Sequence, residues 1–423
     1  MTRMTTTLSN AAAAANGGAA VAVPAAATAA EPLVPTALLA AARQQAGCDD
    51  FGRWPLLEPL ERLCESLNHE VVLSAAGRVA AERRLVGLLV TRLRLVRLWQ
   101  RRPEILEQPV PAPWFIVGLP RSGTTFLHRL IASDPGLRSA PLWELMNPLP
   151  LGDPEAAPPE PDPRIAMAER MLEALHRAAP ELQAMHEMHA EAPDEELNLL
   201  ALGFASMGFE FSFGVPSYVR WYAQQDHTSG YRLFRQVLQT MQWLRSGAAP
   251  GRTGAPLPWV LKAPSHMEQL RPLLQVFPDA RVIQTHRDAV TATVSLASLT
   301  DHGRRNYFDT PDARRTGEQM SAAVQRLLTA IVRDRAEADS RFSDVHFAEL
   351  MADPLALVRR LYAEGGRTLE APAQAAMQRY LAENQRGRHG AHRYTAADYG
   401  IDRAERQAAL AFYHQRFAVP LDA

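Results

Sequence analysis

The chain has 423 residues, 47% of them apolar, and its 45 basic and 46 acidic side chains leave a net charge of −1. That balance gives no global electrostatic reason to bind nucleic acid or an anionic membrane, so any basic site has to be local. Two cysteines, Cys48 and Cys64, make no disulfide framework and fit a reducing, cytoplasmic setting, and no apolar run reaches the length of a membrane-spanning helix.

Residues 1–31 are rich in Ala, Thr and Gly and are interrupted by Asn10, Asn16, Gly17 and Gly18. They read as a disordered tail rather than a signal peptide. Residues 32–423 read as one domain. A helical pattern covers 36–102, clearest from Leu85 to Trp99, where arginines lie along an apolar helix. A core helix with snorkelling arginines is expected there, not a membrane-surface helix. Pro111 and Pro113 end this region, and Trp114-Phe-Ile-Val117 follows as a strand.

Directly after it comes Gly118-Leu-Pro-Arg-Ser-Gly-Thr-Thr125, a glycine-bounded loop with a helix opening at Thr124. Such a loop aims backbone N–H groups and the positive end of a helix dipole at one point, which makes a phosphate cradle. The loop of ATP- and GTP-binding proteins needs G-x-x-x-x-G-K-[ST], with Lys on the β- and γ-phosphates. Here Thr124 stands where that Lys belongs, and the basic group is Arg121, inside the loop. The loop is built for a phosphate but not for a metal-bound triphosphate.

The helix from Thr124 to Ser133 is stopped by Asp134-Pro-Gly136, and the proline-rich stretch from Pro148 to Pro163 reads as a surface excursion. Residues 164–245 are helical with breaks at Pro180, Pro193 and Pro216, giving a helical insertion at about 155–255. His186-Glu-Met-His189 misses the zinc-binding H-E-x-x-H spacing by one residue, and no metal is expected. Three further strands follow the loop at Gly247–Pro258: Trp259-Val-Leu261, Arg281-Val-Ile-Gln284 and Asp344-Val-His-Phe347. Helices follow them from about His266 to Phe277, from Ala289 to Leu299 and from about Pro354 to Ala363. Asp301-His-Gly-Arg-Arg305 reads as a charged, solvated loop. Alternating strands and helices imply an α/β fold: a P-loop-like parallel sheet flanked by helices, with an N-terminal helical region and the helical insertion. Ligands of such sheets bind at the carboxyl ends of strands, which puts Arg121, Lys262 and Arg287 on one rim.

Two more basic segments stand beside the loop. Thr285-His-Arg-Asp288 is followed by Ser295, eight residues after Arg287, and Arg386-Gly-Arg-His-Gly-Ala-His-Arg393 is a glycine-punctuated basic loop. Taken in order, Pro120-Arg-Ser-Gly-Thr-Thr125, Arg287 with Ser295, and Arg386-Gly387 with Gly390 and Arg393 resemble the three motifs of the sulfotransferases that use 3′-phosphoadenosine 5′-phosphosulfate (PAPS), most closely their bacterial branch. Asp49-Asp-Phe-Gly52 and Leu261-Lys-Ala-Pro-Ser-His266 also resemble that branch. The resemblance implies that Ser122, Gly123, Thr124 and Thr125 hold the 5′-phosphate and that Arg121 neutralises charge on the departing phosphate. It implies that Arg287 and Ser295 hold the 3′-phosphate, and that Arg386, Gly387 and Arg388 bind the cofactor. Phe126 is placed to stack on adenine or to be a plain core residue.

An acceptor hydroxyl needs a base. The K-T-H segment of relatives is broken here, because Pro264 falls where the His would be. Glu144 is the favoured base, with Lys262 and His266 next; the other reading of Glu144 is a helix-start carboxylate. Met185, Met188, Phe204, Phe209, Phe211, Phe213, Trp221 and Tyr222 in the insertion suit either an apolar pocket for a small or lipid-like acceptor or plain core. The product would be adenosine 3′,5′-bisphosphate. A nucleotide kinase or NTPase, and a non-catalytic nucleotide-binding protein, are the alternatives from other classes.

Overall fold

The computed structural model describes residues 31–156, 159–182, 188–245, 256–384 and 394–422. Among them, β1 (Trp114–Gly118), β2 (Val260–Lys262), β3 (Arg281–His286) and β4 (Phe342–His346) form a parallel sheet in the order β2-β1-β3-β4. Trp114 pairs with Val260 on one side and with Arg281 on the other, and Gly118 pairs with Thr285. The chain leaves β1 toward β2 on one side and leaves β3 toward β4 on the other, so a crevice opens between the carboxyl ends of β1 and β3.

Strands β1, β2 and β3 are buried on both faces, as a parallel sheet requires, while the edge strand β4 alternates between buried and half-buried residues. Phe115, Val117, Leu261 and Val282 point into one apolar core, while Trp114, Ile116, Val260, Ile283 and Val345 point into a second. The period of two along each strand sorts the side chains. The first core is covered by α1 (Pro35–Ala46), α2 (Leu57–His69) and α3 (Ala75–Arg101) together with helices of the later chain. Between β1 and β2 run α4 (Thr124–Ala132), α5 (Leu142–Met146), α6 (Pro163–Ala178), α7 (Leu197–Leu200), α8 (Gly208–Phe213), α9 (Pro216–Tyr222) and α10 (Thr228–Arg245). Then come α11 (Leu270–Val276), α12 (Ala289–Arg304), α13 (Ala313–Asp334), α14 (Phe347–Ala352), α15 (Pro354–Glu364), α16 (Ala371–Glu383) and α17 (Arg403–Arg416). The second core lies between the sheet, α4, α15 and α16.

Three local expectations need correcting. The arginines of α3 do not all snorkel: Arg92 is fully buried. It donates to the carbonyls of Phe51 at 2.8 Å and of Pro55 and Leu202 at 3.2 Å, binding the Asp49–Gly52 turn to the insertion. The segment after β2 begins as a 3-10 turn, Pro264–Met267, and the α-helix starts only at Leu270, because Pro272 fits no later than a first turn. Asp301–Arg305 is not a solvated loop. Helix α12 runs on to Arg304, which is buried and donates to the carbonyls of Glu210 at 2.9 Å and Phe211 at 3.1 Å. The insertion's aromatics are mostly core: Phe204, Phe209 and Phe213 are buried and stack in sequence on one another.

Candidate active site

The loop after β1 is shaped by what a side chain would hit. A Cβ at Gly118 would lie 2.1 Å from Thr285 Oγ1, and one at Gly123, where φ is +90°, would lie 2.8 Å from Leu350 Cδ2. Arg121 also takes a left-handed φ of 74°, a conformation rare outside glycine. Ser122 is committed inside the turn. Its N–H and its hydroxyl both donate to Leu119 O, at 3.1 and 2.6 Å, and its Oγ lies 2.6 Å from Thr285 Oγ1. Ser122 and Thr285 therefore pin the loop to β3, and the cradle itself consists of the first-turn N–H groups of α4, from Gly123 onward, which have no intrahelical acceptor.

Cations from both neighbouring strands close on this loop. Arg287, just past β3, donates from Nη1 to Arg121 O at 3.0 Å, stacks 4.4 Å over the Phe347 ring, and donates from Nε to Asp422 at 3.2 Å. Removal from water lowers the Arg121 guanidinium below its ordinary value; the Tyr394 phenol opposes this and the Arg287 charge adds to it. Lys262, at the end of β2, is buried and donates to Thr125 Oγ1 at 3.3 Å and to Glu195 Oε1 at 2.6 Å. It follows Val260 on the same strand face and so projects toward α4. Lys262 is also the only lysine in the sequence; every other basic position in the count of 45 is arginine. That signal was available from composition alone.

The base candidates separate. Both Glu144 oxygens accept from Arg245, from Nε at 3.1 Å and from Nη2, and Arg245 lies 5.1 Å over the Trp259 ring. Arg245 lies beside Trp259, the residue before β2, and Glu144 lies on α5, whose Leu142 and Trp143 N–H groups donate to Ala192 O and Ala190 O, both at 3.0 Å. His266 is brought close but sealed. Its side chain is fully buried, Nδ1 pairs with Tyr231 Oη at 2.6 Å and Nε2 with Glu196 Oε1 at 2.6 Å. Glu196 accepts the Lys262 N–H on its other oxygen at 3.0 Å. Burial works to raise Glu196, but the His266 hydrogen bond and charge outweigh it and hold the carboxyl below its ordinary value. Glu195, which sequence reasoning passed over, stays 23% exposed beside Lys262. Burial raises its carboxyl above the ordinary range, although Lys262 pulls the other way.

Of the other expected contacts, Ser295 is buried two turns into α12, and Phe126 is half-buried against Tyr380 with ring centroids 6.2 Å apart. Arg386, Gly387 and Arg388 lie outside the described residues, as do His186 and Met185.

The sulfotransferase family profile matches residues 113–371, the stretch from β1 to the start of α16. The crystal structure of the sulfotransferase STF1 from Mycobacterium tuberculosis H37Rv is 30% identical over 91% of this chain and all of that one, with a TM-score of 0.77. That of the sulfotransferase STF9 from Mycobacterium avium is 27% identical over 92% of this chain and 97% of its own, also with a TM-score of 0.77. No curated protein matches. A phosphate cradle without a triphosphate's lysine suits an enzyme that moves a sulfuryl group, and the chain belongs to the sulfotransferase family.

Proposed function

We propose that the sulfuryl donor is PAPS and that the acceptor is a hydroxyl, rather than an amine, on a small apolar or lipid-like molecule. Transfer is in line and leaves adenosine 3′,5′-bisphosphate; the setting is cytoplasmic, consistent with the free Cys48 and Cys64. Among the described residues, no helix is long and apolar enough to cross a membrane. The reading rests on one observation: Arg287 and Lys262, from strands on either side of β1, both touch the loop that lacks the lysine of a nucleotide triphosphatase.

The residues fit a donor with two separated anionic groups. The N–H groups opening α4 face the 5′-phosphate, and Arg121 offsets the charge that builds on it as the sulfuryl group departs. Arg287, with Ser295 two turns further on, holds the 3′-phosphate. Lys262 offers a compact, three-donor charge to the transferring group. Ser122 acts by fixing the turn rather than by touching the ligand. No metal enters this proposal.

Calorimetric titration tests it. Adenosine 3′,5′-bisphosphate should bind the wild type without magnesium, and Arg287→Ala should weaken that binding at least about tenfold, or about 1.4 kcal/mol. ATP with magnesium bound in preference to the bisphosphate would sink the reading and favour a kinase.

A further inference from the structure

The geometry points to Glu195 as the general base of the transfer, holding the acceptor's proton on the carboxylate that Lys262 now grips beside Thr125. This deepens the donor reading above and rests on it.

Elimination and position both support Glu195. Both Glu144 oxygens are taken by Arg245, and His266 has both ring nitrogens engaged and no exposed surface. Glu196 has one oxygen on His266 and the other on the Lys262 amide, and is 1% exposed. Glu195 alone of this group combines side-chain contact with Lys262, which reaches the loop, and access from solvent. Its segment is held by Pro193 bridging to Pro141 and by the Asp194 N–H donating to Ala140 O at 3.3 Å. The titratable groups around it are Lys262 from β2, Asp194 and Glu196 from its own segment and, beyond Glu196, His128 from α4. A carboxyl raised by burial is a stronger base than one in water, so it suits the task.

The step balances. The donor, when bound, supplies a sulfuryl group on a phosphate leaving group. As the acceptor oxygen forms its bond to sulfur, the bond from sulfur to the 5′-phosphate oxygen breaks, and the electron pair leaves on that oxygen beside Arg121. Glu195 takes the acceptor's proton. Lys262 is shared: a sulfuryl group drawing the ammonium toward itself loosens its hold on Glu195 and strengthens the base when it is needed.

The test uses the full chain as wild type, Glu195→Gln and Glu144→Gln, with three readouts. Calorimetry with adenosine 3′,5′-bisphosphate reads the donor site. Release of sulfate from ³⁵S-labelled PAPS, with water in place of the acceptor, reads the chemistry without an identified acceptor. The third readout is the side-chain resonance of isotopically labelled lysine, one signal because Lys262 is the only lysine. Glu195→Gln should bind the bisphosphate within about threefold of wild type, lose about 10²-fold or more in sulfate release, and erase the pH-dependent step that a neighbouring carboxyl imprints on the lysine signal. Sulfate release by the wild type no faster than by Glu195→Gln, including none from either, overturns the proposal. So does loss of bisphosphate binding in Glu195→Gln, or loss of turnover in Glu144→Gln instead. A wild type that binds no bisphosphate marks the failure of the donor reading and takes this proposal with it.

Discussion

Strand β2 carries a carboxylate–cation pair at each end, and the two are built differently. At its start, Glu144 meets the planar fork of Arg245 with both oxygens, and the fork is further held by a donation to Ser139 O at 2.8 Å and by the Trp259 ring. At its end, Glu195 meets Lys262 through one oxygen at 2.6 Å, and the same ammonium reaches Thr125 of the loop. A guanidinium that engages two oxygens fixes geometry. An ammonium on a flexible stem can exchange one acceptor for another. The first pair suits a joint between α5 and α10; the second suits a site where charge appears and departs.

Exchanging the cation types should expose that difference most strongly. Lys262→Arg keeps the charge, but a fork in the fully buried Lys262 position lacks room and cannot divide itself between the Thr125 hydroxyl, the Glu195 carboxylate and an anionic ligand. Sulfate release from PAPS should fall by about 10²- to 10³-fold, the loss typical of a removed transition-state donor. At the other end, Arg245→Ala leaves Glu144 buried at 4% side-chain exposure without its partner. Urea unfolding should show about 2 kcal/mol of lost stability, below the usual cost of a broken buried pair because Arg245 is itself 30% exposed. Turnover per folded molecule should be retained. Equal activity losses in both variants would erase the distinction.

A histidine beneath β2 reports on the same field. His128 is buried on α4 with Nε2 3.2 Å from Val260 O. Burial first, and then the Lys262 charge, push it from 6.5 to about 4, against a smaller opposing effect of Glu196. Between those values the unfolded chain binds a proton that the folded chain refuses, so stability falls as pH drops from 6.5 to about 4 and the difference is constant below. His128→Gln should remove on the order of 3 kcal/mol from the wild type's acid-side loss over that window. Parallel stability curves for the two proteins would mean that His128 titrates normally in the fold.

The features legible in the sequence are those whose cause is local. The apolar run Trp114–Val117, the glycines of the loop and Arg287 after an apolar strand all carry their reasons within a few residues; the structure makes the run β1 and sets the loop and Arg287 together at the carboxyl ends of β1 and β3. Helix α13 is absent from the sequence reading although it buries a long face, including Met320, Val324, Leu327 and Ile331 at helical spacing. Glu195 was hidden for a different reason. Pro193-Asp-Glu-Glu196 looks like an acidic, solvated turn, and its meaning comes from a lysine 67 positions away that only the fold brings to it. Glu144 is the base the sequence favours, and nothing near it in the sequence announces that Arg245, 101 positions on, engages both its oxygens. Sequence spacing selects carboxylates near a loop; it does not tell which cation each will meet.

A third carboxylate–cation pair sharpens the comparison at its weakest end. Arg287, the proposed 3′-phosphate ligand, donates from Nε to Asp422 at 3.2 Å, and the two side chains are 27% and 39% exposed. Such a pair contributes about 0.2–1 kcal/mol. It is also only one of the contacts Arg287 makes, because Nη1 remains on Arg121 O and the guanidinium remains on Phe347. The arginine would therefore keep its place if Asp422 let go, and an incoming phosphate would compete with the carboxylate alone. Asp422→Asn removes that competitor while leaving a neutral side chain of the same size. Adenosine 3′,5′-bisphosphate should then bind about two- to fivefold more tightly, and the gain should shrink as salt screens the exposed pair. Weaker binding in Asp422→Asn would show instead that the carboxylate orients Arg287 for the ligand, which would make this pair resemble Glu144–Arg245 rather than Glu195–Lys262.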